Sequence, residues 1–501
     1  MKPVREPMGA AQKLAAAAVL LILFGSAIAY LGARDYGDGV DGGTHYGIAL
    51  ELARLGTWPL PPSSPFYWVA YYPPGAHFLA VVAGAFTGST LHGLFILTAI
   101  SVVVFYLVVA DLMRSPSPLK TIACFLVFIA VAYRFWKFRF LAGNEMIINF
   151  FFGQFVGNAA LMAGLYVAYR SIELSFRRWL VVSAILTHLV GWIYPLSAIE
   201  LAFTLAILRG APMADLRYDI KRRCIEIVVS GIVLGAAAII HPAITIMVGI
   251  SANDGGIAIA NRTILVVIAG AAVVIPIFFY RFMGTGSVRA GALFALSLGA
   301  LGPCVGLGLL HLAGLGGSLY AVKKSGFLLG TVACIMLSIL IVELTAKIVQ
   351  LRAEWFKGLH LAPISGLQTM VSSCLFVAIV VACIFQGRNS EPVSRLIAFD
   401  HDVRQLLAQE TSDRLYGTTL LLNSSATPHV NFLIGYPLLR QAVAAGNQES
   451  LFFAPRSPNL NGLKFVIINA AETNRYERRC VMGSTERLAV ITPDCLTPKP
   501  Q

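Results

Sequence analysis

The stretch "LHGLFILTAISVVVFYLVVA", Leu91 to Ala110, contains no Asp, Glu, Lys or Arg. Coiled as a helix at about 1.5 Å per residue, a run of that length crosses the roughly 30 Å hydrocarbon core of a bilayer. A helix is the form a single segment must take there, because lipid offers no partner to backbone N–H and C=O groups. Apolar runs of the same kind lie on both sides, at 14–32, 74–88, 119–133, 146–169, 179–208, 225–249, 263–280, 290–311, 326–346 and 364–386. The run 179–208 is too long for one upright helix, and "GWIYP", Gly191 to Pro195, breaks it in two. The chain therefore reads as an all-α polytopic membrane bundle of about 11–12 transmembrane helices, built from residues 1–386. Composition agrees. Of 501 residues 57% are hydrophobic and 13% charged, where a soluble domain carries about 25% charged residues.

The net charge of +13 is unevenly placed. The tail from Gly387 to Gln501 holds 12 Lys/Arg and 10 Asp/Glu, about +2, which leaves +11 for the bundle and its short loops. That is the basic bias of cytoplasmic loops, and it gives no reason to expect nucleic acid as a partner. "YRSIELSFRRW", "LRGAPMADLRYDIKRR", "YRFMGTGSVR" and "KIVQLRAEWFKG" read as cytoplasmic. Counting from them puts 134–145, 250–262, 312–325 and the tail on the outer face. The basic N-terminus, with Lys2, Arg5 and Lys13, puts the loop 33–73 outside as well. The two counts differ by one span between 74 and 145: either 74–88 is too short to cross or a helix is broken near "AGNEMI". The opening "MKPVREPMGAAQK" and "LAAAAVLLILFGSAIAYLGA" have the form of a signal peptide, but the many spans that follow favour an uncleaved first helix.

Residues 387–501 read as a small soluble α/β domain on the extracytoplasmic side. "RLYGTTLLLNSS" and "KFVIINAAE" have the pattern of strands, "DHDVRQLLAQE" and "PLLRQAVAAG" that of helices. Six cysteines lie in or beside apolar runs, where cysteine packs as a small hydrophobe. Cys480 and Cys495 stand together in the polar tail and are a disulfide candidate outside the cytoplasm. No phosphate loop, nucleophile elbow or Cys/His metal pattern occurs.

Acid is scarce in the bundle, yet "ARDYGDGVDGGTHYGIALELARLG", Ala33 to Gly56, spaces Asp35, Asp38 and Asp41 three apart and adds His45. Thr44 is a candidate N-cap for a short interfacial helix on which Ile48, Leu52 and Leu55 recur, and Gly56 stops it. Acids capping a helix in a solvated loop explain the cluster blandly. The functional reading uses the same features. Glycines let a substrate approach the backbone, and a carboxylate crowded at a membrane surface is suited to general-base work on a hydroxyl. Asp38 and Asp41 are also the residues that would hold a divalent cation, Mg²⁺ or Mn²⁺.

Asp41-x-x-x-His45, "ALELARLGTWPL" and "YYPPGAHFLAVV", with Tyr72 and His77, together resemble the first outer loop of the GT-C superfamily of membrane glycosyltransferases. That group includes bacterial aminoarabinose, mannosyl and arabinofuranosyl transferases. The resemblance covers about 60 residues and the architecture. It implies a bundle with an outer C-terminal domain, a sugar donor on polyprenyl phosphate, and an acidic residue of this loop, Asp41 or Asp38, as catalytic base. Asp35, His45, Tyr72 and His77 would then contact substrate. Two weaker matches add to it. "FRFLAGNEMI" offers Arg139 and Glu145, with interfacial polarity as the plainer account. "GSLYAVKKSGFLL" offers Tyr320 and Lys323, where a lysine would meet the lipid phosphate or merely snorkel at a helix end. The implied function is inverting transfer of a sugar, hexosyl or pentosyl, to a cell-envelope glycan, lipid or protein acceptor, at the outer face of a bacterial inner (plasma) membrane. A flippase of lipid-linked glycans predicts ionisable residues at mid-membrane and repeated halves; most charges here sit at span ends. A non-catalytic assembly protein predicts that the aspartates are dispensable.

Overall fold

A computed structural model of the chain describes residues 25, 41–64, 66–210, 220–244, 260–282, 285, 287–315, 319–352, 366–384, 393–409, 419–422, 433–435 and 464–496. Apart from Gly25, the first hydrophobic run lies outside the described residues, as do Asp35, Asp38 and the helix expected over "PLLRQAVAAG". In chain order the helices are α1 (Gly42–Leu55), α2 (Gly75–Thr87), α3 (Thr90–Leu112), α4 (Pro118–Trp136), α5 (Asn144–Asn149), α6 (Phe152–Arg170), α7 (Phe176–Ile193), α8 (Pro195–Gly210), α9 (Ile220–Ile239), α10 (Asn261–Phe282), α11 (Val288–Leu312), α12 (Leu319–Arg352), α13 (Gly366–Ile384) and α14 (Val393–Gln409). The strands are β1 (Thr419–Leu422), β2 (Phe465–Asn469), β3 (Val481–Ser484) and β4 (Leu488–Ile491). The chain divides into two compact units. Unit one is Met1–Leu31, Ala99–Glu145 and Gln154–Gly387; unit two is Gly32–Thr98, Met146–Gly153 and Arg388–Gln501.

Five described helices are long and apolar enough to cross a membrane: α3, α7, α10, α11 and the stretch Leu319–Ile348 of α12. Gly75–Thr87 and Val371–Ile384 are shorter apolar helices. The protein is an integral membrane protein. In unit one the helices show the polarity of a membrane bundle. On α7, Val181, Ile185 and Leu189 are exposed at four-residue spacing, while Trp179, Ser183 and Thr187 face inward. On α10, Leu265, Val273 and Ile277 are exposed while Ile264, Val267, Ala271, Ile275 and Phe278 are buried. α7 stops where "GWIYP" requires it. Tyr194 is extended, with φ −160° and ψ 114°, and Pro195 opens α8.

Three carboxylates in unit one are each shared by two basic side chains beside the basic loops. Asp111 meets Arg170 at 3.4 Å and Arg289 at 3.3 Å, and accepts from the Tyr169 hydroxyl. Glu343 meets Lys120 at 3.0 Å and Arg281 at 3.6 Å. Glu226 meets Arg209 at 3.1 Å and Arg222 at 3.2 Å.

Three expectations are corrected. The helix expected after Thr44 begins at Gly42 with Asp41 in the N-cap place, so Thr44 lies inside its first turn. Packing is close at that entry: a Cβ on Gly42 would come within 3.1 Å of Leu433 and 3.5 Å of Phe150, so glycine fits there most easily. Gly56 ends it in the left-handed conformation, φ 63°, with its N–H on Leu52 O. The run 146–169 is not one helix. α5 ends at Asn149, Phe150 takes φ 57°, and α6 starts at Phe152. Phe150, Phe151 and Phe152 are all buried, and packing three adjacent rings overrides helical continuity. The late polar loop is shorter than 312–325, because α12 begins at Leu319 and takes Tyr320 and Lys323 into its first turns.

In unit two the sheet order is β1-β2-β4-β3. β1 and β2 run parallel, with Thr419 opposite Phe465; β4 pairs antiparallel with β2 and β3. β2 and β4 bury Val466, Ile467, Ile468 and the whole of β4. β1, β2 and α14 overlie stretches whose sequence pattern shows them, whereas β3 and β4 are four-residue strands without that signal. Cys480 and Cys495 are joined as a disulfide.

Candidate functional site

In unit two the early-loop residues converge. Asp41 lies at the N-terminus of α1, and its carbonyl accepts from His45 N at 3.0 Å. One turn apart, Asp41 and His45 share a face of the helix. The helix fits closely: a Cβ on Gly47 would fall on the Phe66 ring, so glycine is required there. His45 Nδ1 lies 2.9 Å from His77 Nε2, and the rings stack at 5.2 Å. His77 Nδ1 lies 3.3 Å from Pro73 O. A carbonyl only accepts, so His77 carries its proton on Nδ1 and its Nε2 accepts from His45 Nδ1–H. "YYPPG" thus sets the tautomer of both imidazoles. Tyr72 lies edge-on to His45 at 5.7 Å and to His77 at 5.5 Å. Burial, and then the negative charge of Asp41, hold the Tyr72 hydroxyl above the ordinary phenol range. Phe152 closes the pair from 5.8 Å and 5.6 Å, and Phe150 lies 6.3 Å from His45. His45, Tyr72 and His77 are therefore one cluster, a tautomer-locked histidine pair against a phenol, and the charge of Asp41, one turn before His45, reaches the Tyr72 hydroxyl.

The other sequence candidates lie in unit one. Arg139 is exposed, and its side chain forms no hydrogen bond or ion pair among the described residues; only its carbonyl is used, by Asn144 Nδ2 at 2.8 Å. Glu145 is fully buried ahead of α6. Its Oε2 accepts from Gly143 N at 2.6 Å and its Oε1 from Asn158 Nδ2 at 3.5 Å, and Asn158 Oδ1 accepts from Ser197 Oγ at 2.9 Å. Burial pushes the Glu145 carboxyl up to about 8, against the pull of these hydrogen bonds. Lys323 is half-buried. Its neighbour Lys324 is the lysine that the bundle encloses, 8% exposed, with Nζ 3.3 Å from Tyr194 OH and 4.4 Å from the centre of the Tyr320 ring. Its carbonyl takes Gln154 Nε2 at 2.8 Å. Next to it, Ser325 Oγ donates to Ala321 O at 3.3 Å, and α8 carries a buried acid, Glu200. Gln154 Oε1 and Glu200 Oε1 have no hydrogen-bond partner among the described residues.

Sequence reasoning missed Lys324, Gln154, Asn158, Ser197 and Glu200. Tyr320 and Lys324 stand four apart on one helix face, which favoured the second lysine of "KK". Single polar residues within apolar spans, such as Glu200 in "SAIELAF", were the other usable sign. Among the described residues no three His, Cys, Asp or Glu converge to hold a metal ion; Asp38, needed for the cation expected there, is outside them.

No family model matches the chain, and no curated protein matches it. Among solved structures it is similar to ArnT from Cupriavidus metallidurans bound to undecaprenyl phosphate, with TM-score 0.47 and 13% identity, over 99% of this chain and 100% of that one. For the same protein in the apo state the values are 0.42 and 13%, over 97% and 99%. The oligosaccharyltransferase of Archaeoglobus fulgidus, tethered with an acceptor peptide containing the NVT sequon, matches with TM-score 0.40 and 12% identity, over 92% of this chain and 70% of that one.

Proposed function

We propose that this chain is a membrane glycosyltransferase of the GT-C type. It would move a hexosyl or pentosyl group from a polyprenyl-phosphate donor to a cell-envelope glycan, lipid or protein, with inversion. The observation that carries the reading is the cluster in unit two: His45, Tyr72 and His77, residues of the loop pattern, pack together although up to 32 positions apart, and the charge of Asp41 acts on the Tyr72 hydroxyl among them.

In this mechanism Asp41 takes the proton of an acceptor hydroxyl. The oxygen attacks the anomeric carbon from the face opposite the phosphate, the bond between that carbon and the phosphate oxygen breaks, and polyprenyl phosphate leaves. The base acts on charge that develops only in the transition state, which is where stabilisation accelerates a reaction. The rings of Phe150, Phe152 and Tyr72 keep water from the histidine pair. Within unit one, the enclosed cation suited to a lipid phosphate is Lys324, whose ammonium is held over Tyr320 and against Tyr194. A divalent cation on Asp38 and Asp41 belongs to the same proposal, and transfer after exhaustive chelation tests it. So does an outer-face location in a bacterial inner membrane, tested by labelling single cysteines placed in 33–73 and in the tail with an impermeant reagent.

The primary test is sugar transfer from polyprenyl-phosphate donors into envelope acceptors, comparing wild type with Asp41→Asn and Asp38→Asn at matched expression. Loss of transfer in one variant of normal fold identifies the base. Undiminished transfer in both refutes it, and no transfer by wild type across a broad donor panel refutes the enzyme.

A further inference from the structure

We propose that Tyr46, Asp400 and Arg404 are positioning residues, through which the C-terminal helix α14 sets the orientation of α1 and so aims Asp41 and His45. This rests on the proposed function, with Asp41 as base. The Tyr46 ring is fully buried. Its hydroxyl donates to Asp400 Oδ1 and accepts from Arg404 Nη2 at 2.6 Å, while Arg404 Nε donates to Asp400 Oδ2 at 2.9 Å. Each of the three groups thus bonds the other two in a closed triangle within unit two. Asp400, 4% exposed, has both oxygens engaged. A buried carboxylate is tolerable only when so partnered.

Filling space would need only a phenylalanine at position 46. A hydroxyl that both donates and accepts has to lie at a defined length and angle from two partners. That restricts rotation and sliding of α1 in a way apolar packing does not. Tyr46 follows His45 directly and is five positions beyond Asp41, so within a rigid helix its placement is theirs. The tail holds the same helix a second time, one turn earlier, where Leu433 fits against Gly42. Phe66 closes on Gly47. The tail region is therefore part of the site's frame, although it supplies no group to the reaction.

The test uses the full-length protein in nanodiscs. Tyr46→Phe keeps the ring and leaves the Arg404 bond to Asp400 Oδ2 in place, and rates are read per folded molecule. Arg404→Gln and the double variant complete a cycle. Expected are a fall in kcat per folded molecule on the order of tenfold or more, an unaltered KM for donor, and faster hydrogen exchange confined to the peptide covering α1. The double variant should be no worse than the poorer single, since the three groups act as a unit. Unchanged kcat in Tyr46→Phe overturns the proposal, as does unchanged exchange in α1. A purely structural role would lower yield and melting temperature while leaving kcat per folded molecule alone. If wild type itself transfers no sugar, the functional reading has failed separately. The exchange comparison still decides the clamp, and α1 exchanging at the wild-type rate in Tyr46→Phe overturns it.

Discussion

Gly47→Ala isolates the fit of the helix that carries Asp41 and His45. The added Cβ would lie 2.7 Å from Phe66 Cε1 and closer still to Cζ and Cε2, where carbon atoms at rest keep about 3.5–4.0 Å. Phe66 has no room to retreat. Its ring is 0% exposed, and its backbone N is held by Ser64 Oγ at 3.1 Å. α1 must therefore shift by about 1.5 Å or more to restore contact distance to Cζ, which would lie 2.0 Å away. Forcing a methyl into a packed site costs about 1–3 kcal/mol, while replacing a mid-helix glycine by alanine returns up to about 1 kcal/mol. Because the site cannot yield, the net is a loss of about 1–2 kcal/mol. A displacement of that size at a reacting group lowers rate by up to about a hundredfold. Thermal unfolding of the purified protein in detergent, alongside the transfer assay, measures both. Gly231→Ala on α9 is the control: nothing lies within 4 Å of its added Cβ, so the melting temperature should hold or rise. Gly47→Ala as stable as that control and fully active would refute the reasoning.

Lys324→Met preserves length and apolar volume but removes the charge facing Tyr194 and Tyr320, and initial transfer rates should fall on the order of tenfold or more; Lys323→Met should leave them near wild type. Glu145 makes stability depend on pH. Its folded carboxyl is raised from 4.5 to about 8, so the folded state keeps a proton that the unfolded chain has released. That contribution is complete below about pH 4.5 and is lost as pH rises through about 8. Glu145→Gln, which never ionises, should flatten the fall in melting temperature across this window. Removing the Cys480–Cys495 bridge opens a link between residues 15 apart and should destabilise the tail by about 3 kcal/mol, measured as earlier limited proteolysis of the Cys480→Ser/Cys495→Ser variant.

The helical bundle was legible because its signal is local: length, apolarity and the breaker "GWIYP" all lie within a single run. The break at Phe150 was not, because nothing in "IINFFFGQF" opposes a helix until three rings compete for buried space. In the site, Asp41, His45, Tyr72 and His77 could be named from the loop pattern, and Glu145 from its place before a span. The partners of that set are non-local. Tyr46 meets Asp400 across 354 positions and Lys324 meets Tyr194 across 130, and neither pairing leaves a periodic trace. Asp400 and Arg404 read only as one more i, i+4 ion pair on an exposed helix. Lys323 follows from a Tyr-x-x-Lys spacing with Tyr320, which carries no information on which lysine is enclosed. Only the phase of α12 against the bundle separates them.

The three shared carboxylates of unit one make tolerance to change one-sided. Take away one arginine from Asp111 and its partner arginine still has a counter-ion; the fastening weakens but survives. Take away Asp111 and Arg170 is left with Arg289, two like charges on the ends of separate helices. The same holds for Glu343 between Lys120 and Arg281, and for Glu226 between Arg209 and Arg222. The cations are the redundant members and the acids the scarce ones. For the ion pairs alone, replacing one basic partner should therefore cost less than replacing the acid it shares.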